Sequence, residues 1–217
     1  MNSRLTEAGL FLDRVTIALD GREIVTLTRR VAPGAVLTVM GPSGAGKSTL
    51  LAYVGGFLDP AFTASGRAYV DDVEITALKP EARHMGILFQ DPLLFPHMSV
   101  GGNLMFALPQ EVRGRRARRE RMCRALEGVG LAGLEERDPA TLSGGQKARV
   151  ALARVLASAP RALLLDEPFS KLDAALRAQM RELVFAKARE SGLPVLLVTH
   201  DVADAQAAGG DIVEIGG

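Results

Sequence analysis

The stretch Gly41-Pro42-Ser43-Gly44-Ala45-Gly46-Lys47-Ser48-Thr49 constrains this chain more than any other. It follows the apolar run Val36-Leu37-Thr38-Val39-Met40 and leads into Leu50-Leu51-Ala52-Tyr53-Val54. Strand, glycine-rich loop, then helix is the context that gives a G-x-x-x-x-G-K-[ST] match its physical meaning. The glycines allow backbone N–H groups to turn inward around a phosphate where a Cβ would block the approach. The helix that starts here points its dipole and unpaired N–H groups at the same anion. Lys47 adds a positive charge for the β- and γ-phosphates, and the Ser48 hydroxyl is a ligand for Mg²⁺. These residues imply a nucleoside triphosphate as ligand.

Composition narrows the class. A chain of 217 residues suits one large domain, or a core with an inserted subdomain. Its 47% hydrophobic and 24% charged residues are ordinary for a soluble α/β protein, and a net charge of +1 gives no global reason to expect nucleic acid. The single cysteine, Cys123, excludes an intrachain disulfide and a cysteine-based zinc site and fits a reducing compartment. No apolar run approaches the ~18 residues of a membrane span, and the polar start Met1-Asn2-Ser3-Arg4 does not read as a signal peptide. Any membrane role is expected to be peripheral.

Along the chain, residues 10–19 and 24–31 read as strands around the turn signal Asp20-Gly21, and 36–40 as the buried strand feeding the loop. A helix is expected over 47–57, a loop from Asp59 to Gly66, a β-like stretch from Arg67 to Ile75 and a short strand at 86–90. Antiparallel strands followed by a strand–helix unit point to an α/β fold with a mostly parallel sheet and an antiparallel β subdomain. From Asp91 to about Thr141 the character turns helical and proline-punctuated. Residues 113–124 hold seven arginines and one glutamate. They read as a solvated helix face, with a nucleic-acid or lipid-headgroup patch as the alternative. A helix over Gln146–Leu156, a buried strand Ala162–Leu165, a helix over 173–190, a strand Leu193–Thr199 and a last strand at 211–215 complete the expectation.

Two further constellations carry chemistry. The apolar strand ending in Asp166-Glu167 sets a carboxylate where it can hold Mg²⁺, and Glu167 where it can polarise a water aimed at the γ-phosphate. Phosphoryl transfer asks mainly for positioning and charge neutralisation, so one carboxylate and one metal suffice. In Leu142-Ser143-Gly144-Gly145-Gln146, Ser143 is a natural N-cap and the two glycines expose backbone N–H groups at a helix start.

Taken in order, Gly41–Thr49, Gln90, Leu142–Gln146, Leu163–Glu167, Ser170-Lys171-Leu172-Asp173 and His200 resemble the ATP-binding subunit of an ABC transporter across nearly the whole chain. The resemblance implies a P-loop ATPase core over about 1–90 and 159–217, with the helical subdomain and signature motif over about 91–158. It implies a head-to-tail dimer of ATP-binding subunits closing on two ATP. Gly41, Pro42, Ser43, Gly44, Ala45, Gly46, Lys47, Ser48 and Thr49 would bind phosphate on one subunit, and Ser143, Gly144, Gly145 and Gln146 of the other would close on the γ-phosphate. Ser48, Gln90 and Asp166 would serve the Mg²⁺, and Glu167, His200 and Gln90 the attacking water, while Asp173 would reach across the dimer.

Two departures stand out. Where the family stacks adenine on an aromatic residue about two dozen positions before the loop, this chain has Leu19, with Ala18 beside it and Phe11 its only aromatic before the loop. Lys171 stands where a small residue is common, which reads as an added exposed charge. The segment Phe89–Leu104 is similar to importer-type ATPases, in particular the thiamine, molybdate and iron uptake classes. That resemblance implies transmembrane permease subunits, a separate substrate-binding protein, no nucleic acid partner, and a peripheral place on the cytoplasmic face of the inner (cell) membrane. An export ATPase shares the same core motifs, and a soluble ABC protein is the more distant alternative. The end at Gly217, soon after the last expected strand, leads us to expect no C-terminal regulatory domain.

Overall fold

A computed structural model describes residues 8–216. The chain divides into two compact units. The first comprises the chain up to Ile87, Arg161–Glu167 and Phe185 onward; the second comprises Leu88–Pro160 and Pro168–Val184. In chain order the strands and helices are β1 (Leu10–Leu19), β2 (Arg22–Val31), β3 (Val36–Met40), α1 (Lys47–Gly55), β4 (Phe62–Val70), β5 (Val73–Glu74), α2 (Pro80–Arg83) and β6 (Met85–Leu88). They continue with α3 (Val100–Ala107), α4 (Arg115–Glu127), α5 (Gly144–Ala157), β7 (Ala162–Asp166), α6 (Ala174–Glu190), β8 (Val195–Thr199), α7 (Val202–Ala208) and β9 (Asp211–Glu214).

In the first unit, one sheet runs β6-β7-β8-β3-β9, with β7, β8, β3 and β9 paired in parallel. Strands covered on both faces read as continuous apolar runs rather than alternating ones. Accordingly Leu163, Leu164, Leu165, Val195, Leu196, Leu197 and Val198 are all fully buried. The second sheet, β2-β1-β4-β5, is antiparallel.

Residues 62–66 correct the expected loop: they begin β4, with 62–65 paired to Leu19–Thr16 of β1 and Gly66 at the register shift that follows. Ala64, Ser65 and Gly66 are poor strand formers, so cross-strand pairing overrides local propensity there. The pairing needs Gly66, whose φ is +87° and whose missing Cβ would lie 2.2 Å from the Arg14 carbonyl oxygen. Other boundaries move by a residue or two, as with α1, which stops at Gly55 because Gly56 adopts the left-handed C-cap.

Helix α1 is apolar almost all round, with Leu50, Leu51 and Val54 at 2% exposure or less. Its C-terminal carbonyls meet a buried cation. The Arg83 guanidinium, 6% exposed, donates to the Tyr53 and Val54 carbonyl oxygens at 2.7 and 3.0 Å, and to those of Thr76 and Leu78 at 2.7 and 2.9 Å. Orphan carbonyls at a helix end carry partial negative charge, so this placement satisfies them and completes the dipole. Burial lowers the pKa of Arg83.

In the second unit, α3, α4 and α5 pack together. Asn103, fully buried, accepts from the Phe95 N–H and donates to the carbonyl oxygens of Phe95, Met98 and Ser99, which fixes the turn before α3. Most arginines of α4 are exposed as expected, but Arg118 turns inward to the carbonyl oxygens of Met105, Pro109 and Val112. Pro168–Val184 also belongs to the second unit, where Phe169, Leu172, Met180 and Val184 line one cavity with Ala148 and Ala151 of α5.

Replacing Arg83 with methionine keeps the volume and strips four carbonyl oxygens of their donor. The expected cost is about 3 kcal/mol or more, read as a fall of roughly 6–12 °C in melting temperature. A shift of a degree or less would show that Arg83 is not the cap it looks to be.

Candidate functional site

Parallel pairing in the order β7-β8-β3 brings three carboxyl ends to one edge of the sheet. Gly41–Gly46 follows β3, Asp166 ends β7, and His200 follows β8. The carboxyl edge of such a sheet is where ligands bind.

Gly46 is the N-cap of α1, at φ +90°. A Cβ there would press against Val25 and Ile24 side-chain carbons at 3.0 and 3.2 Å. Both the conformation and the space therefore demand glycine. Lys47, buried, donates to the Gly41 and Pro42 carbonyl oxygens, each at 2.8 Å. Its ammonium thus lies inside the loop's own curve. The Ser48 hydroxyl donates to the Asp166 carboxylate at 2.8 Å, joining α1 to the end of β7 across 118 residues of sequence. The pKa of Asp166 is raised, chiefly by burial, with the Ser48 hydrogen bond pulling the other way.

Glu167 sits in the left-handed region at φ +45°, an uncommon conformation for a residue with a side chain. Its backbone N–H donates to the Val198 carbonyl oxygen at 3.0 Å, and its carboxylate lies 3.1 Å from Nδ1 of His200. The two sequence-selected residues Glu167 and His200 are thus in hydrogen-bonding contact.

Beside the loop, a groove of about 640 Å³ is lined by Leu19, Arg22, Glu23 and Ile24 from the β1–β2 hairpin, by Pro42–Ala45, and by Gly216. Leu19 therefore lines the space next to the phosphate loop. Arg22, Glu23, Ile24 and Gly216 were not singled out from sequence, because only the folded hairpin brings them to the loop. The ring of Phe11 lies elsewhere, stacked on Tyr69 at 6.1 Å with Arg30 over it at 4.5 Å.

The remaining selected residues belong to the second unit. Ser143 caps α5 in a reciprocal box: its hydroxyl accepts from the Gln146 N–H at 3.2 Å, and its own N–H donates to the Gln146 side-chain oxygen at 3.0 Å. The side chain of Gln146 is thus engaged in the cap. Gly145 is buried, and a Cβ there would lie 2.7 Å from a Leu176 methyl; Gly144 is exposed with open space around its Cβ position. The first glycine leaves α5's N–H groups approachable, while the second lets α6 pack. Asp173 caps α6 by accepting from the Leu176 N–H at 3.0 Å and is itself exposed. Gln90 is exposed and makes no hydrogen bond among the described residues. Lys171 is exposed, as read from the sequence, and its ammonium meets both carboxylate oxygens of Asp91, at 2.6 and 2.7 Å.

A nucleobase in this groove would keep apolar contact with Leu19 and lack aromatic stacking, worth ~1 kcal/mol. ATP and GTP should then bind with dissociation constants within roughly fivefold of each other. A preference for ATP well beyond about tenfold, measured by calorimetry, would show that other groove residues read the base.

Comparison with known proteins agrees with this geometry. Residues 25–170 match the family model described as ABC transporter. The chain is 48% identical over 188 residues to the ABC transporter ATP-binding protein YnjD of Escherichia coli (strain K12), spanning 87% of this chain and 86% of that protein. It is 45% identical over 197 residues to the thiamine import ATP-binding protein ThiQ of Cereibacter sphaeroides, spanning 91% and 84%. The iron import ATP-binding protein FbpC 1 of Haemophilus influenzae is 40% identical over 205 residues, 94% of this chain and 62% of that longer protein. Among solved structures, cbiO1 from Clostridium perfringens, part of the cbiONQ transporter complex, superposes with a TM-score of 0.84 at 29% identity over 96% of this chain and 85% of that one. The ATP-binding cassette MJ0796, a dimer bound to ADP and phosphate, gives 0.76 at 28% identity over 95% and 94%. The phosphate loop, the Asp166–Glu167 strand end and the capped α5 thus belong to an ABC transporter family member, and the chain is an ATP-binding ATPase of that family.

Proposed function

We propose that this chain is the energy-converting subunit of an ABC importer, working as a head-to-tail pair of copies around two ATP. The observation that carries this reading is the junction of Lys47, Ser48, Asp166, Glu167 and His200 at one sheet edge. The dimeric, product-bound cassette similar to this chain supports the pairing, and the thiamine and iron import relatives support the direction of transport.

Mg²⁺ fits the residues present. Asp166 and Ser48 offer hard oxygen ligands already within hydrogen-bonding distance, and burial of the carboxylate disfavours its charge until a cation lies beside it. No group of three or more His, Cys, Asp or Glu side chains converges among the described residues. Few protein ligands suit Mg²⁺, which keeps waters and takes substrate phosphate oxygens. Bound there, the ion would neutralise phosphate charge.

Around it the residues divide the work. Lys47 and the N–H groups of the loop hold the phosphates. Glu167 accepts a proton from the attacking water, and His200, in contact with that carboxylate, orients it. Gln90 contributes to water and metal positioning, and Asp173 to the contact between copies. Ser143, Gly144 and Gly145 present the start of α5 to the γ-phosphate held by the other copy. No helix among the described residues is long and apolar enough to cross a membrane, so the transport path belongs to permease subunits. The chain would bind these peripherally, at the cytoplasmic face of the inner membrane, with a substrate-binding protein delivering cargo.

Glu167→Gln removes the base and keeps the shape. It should abolish turnover, retain ATP affinity and accumulate as a dimer on size exclusion with Mg²⁺ and ATP. A variant that stays monomeric under saturating nucleotide would contradict Glu167 as the base. Permease subunits co-purifying with the chain from membranes, alongside a gene for a binding protein, would support import; a permease of export type would overturn it.

A further inference from the structure

The segment after Gln90 is held by two cations and by little else. Between Gln90 and Leu94 no backbone–backbone hydrogen bond forms among the described residues. Arg154, in the last turn of α5, donates to the carbonyl oxygens of Leu93 and Pro92 at 2.7 and 3.1 Å, and lies 5.5 Å from the centre of the Phe95 ring. Lys171 closes on both oxygens of the Asp91 carboxylate, 80 residues away in sequence. Pro92 restricts Asp91 to extended backbone, and Leu93 takes the left-handed conformation at φ +47°. The chain there has little freedom beyond what these two anchors leave it.

We propose that the Lys171–Asp91 ion pair is a positioning device for Gln90, fixing the backbone next to it against the loop that leads into Asp173 and α6. Gln90 itself makes no hydrogen bond among the described residues, so its place is set by its covalent neighbours. Asp91 is the neighbour with a fixed side chain. Lys171, Asp91, Gln90 and Gly144 also line one small cavity, floored by Phe169, so the pair closes a space shared with the start of α5.

The size of the effect follows from exposure. The two side chains are 51% and 58% exposed, and such pairs add little to global stability. Breaking this one should leave the melting temperature alone and change how often Gln90 stands correctly. Neither residue lines the groove beside the phosphate loop, so ATP affinity should not change. The pair is a control on turnover, not on binding. This inference rests on Gln90 acting in hydrolysis, as in the reading above.

The test is steady-state hydrolysis of Mg-ATP by the full chain, with Asp91→Asn, Lys171→Met and the double variant, each in the wild-type and Gln90→Ala backgrounds. Each single variant should lower kcat about 2–5-fold at unchanged KM, and the double should be no slower than either single. In the Gln90→Ala background the same changes should have no further effect. If Gln90→Ala slows turnover while the ion-pair variants do not, the positioning claim fails and the reading of Gln90 stands. If the ion-pair variants slow turnover equally in both backgrounds, or raise KM, the pair does not act through Gln90. Full activity of Gln90→Ala would overturn both.

Discussion

Parallel pairing of β7, β8 and β3 is the constraint on which the chemistry of this protein depends. Backbone hydrogen bonds fix the register, Leu163 opposite Val195 and Val36 opposite Val195, and complete burial of the apolar runs holds it there. A slip of one residue would exchange the faces of each strand and displace the strand ends. With the register set, Met40, Asp166 and Thr199 finish side by side, and the loop, the carboxylates and His200 follow from them. The Ser48–Asp166 hydrogen bond is the local expression of that register, linking the helix of the phosphate loop to the carboxylate of the neighbouring motif. Arg83 serves the same end from the far side of α1, holding the carbonyl end of the helix whose amide end faces the phosphates.

The parts legible in sequence were those whose physics is local. The phosphate loop, the apolar strands and the Ser143 cap each declare themselves within a dozen residues. Residues 62–66 did not, because Ala64-Ser65-Gly66 outweighs Phe62-Thr63 as a local signal; pairing with β1 imposes the strand, through a bulge that Gly66 permits. Arg83 carries no signal in sequence, since its four acceptors are main-chain oxygens from two other stretches, Tyr53–Val54 and Thr76–Leu78. Lys171 read as a surface charge for the same reason: its partner is remote in sequence. Short helices such as α3 and α7 were hidden by glycines and by length. For the candidate site, residues chosen from sequence meet at one sheet edge and Leu19 lines the groove beside the loop, but the hairpin residues Arg22, Glu23 and Ile24 that line it too come together only in the fold.

In the proposed pairing, neither motif is a complete site. In the proposed function Lys47 and the loop hold phosphate from one side, and the start of α5, left open at Gly144, closes on it from the other copy. Complementation between two inactive variants tests this most directly. Lys47→Ala and Gly144→Asp, the second at the glycine whose Cβ position is open, should each be inactive alone. Mixed, they would form some dimers in which one composite site keeps an intact Lys47 from one copy and an intact Gly144 from the other. The account predicts that hydrolysis reappears on mixing and rises to a maximum near equal amounts. Mixtures that stay inactive at every ratio, although the two variants demonstrably associate, would contradict it.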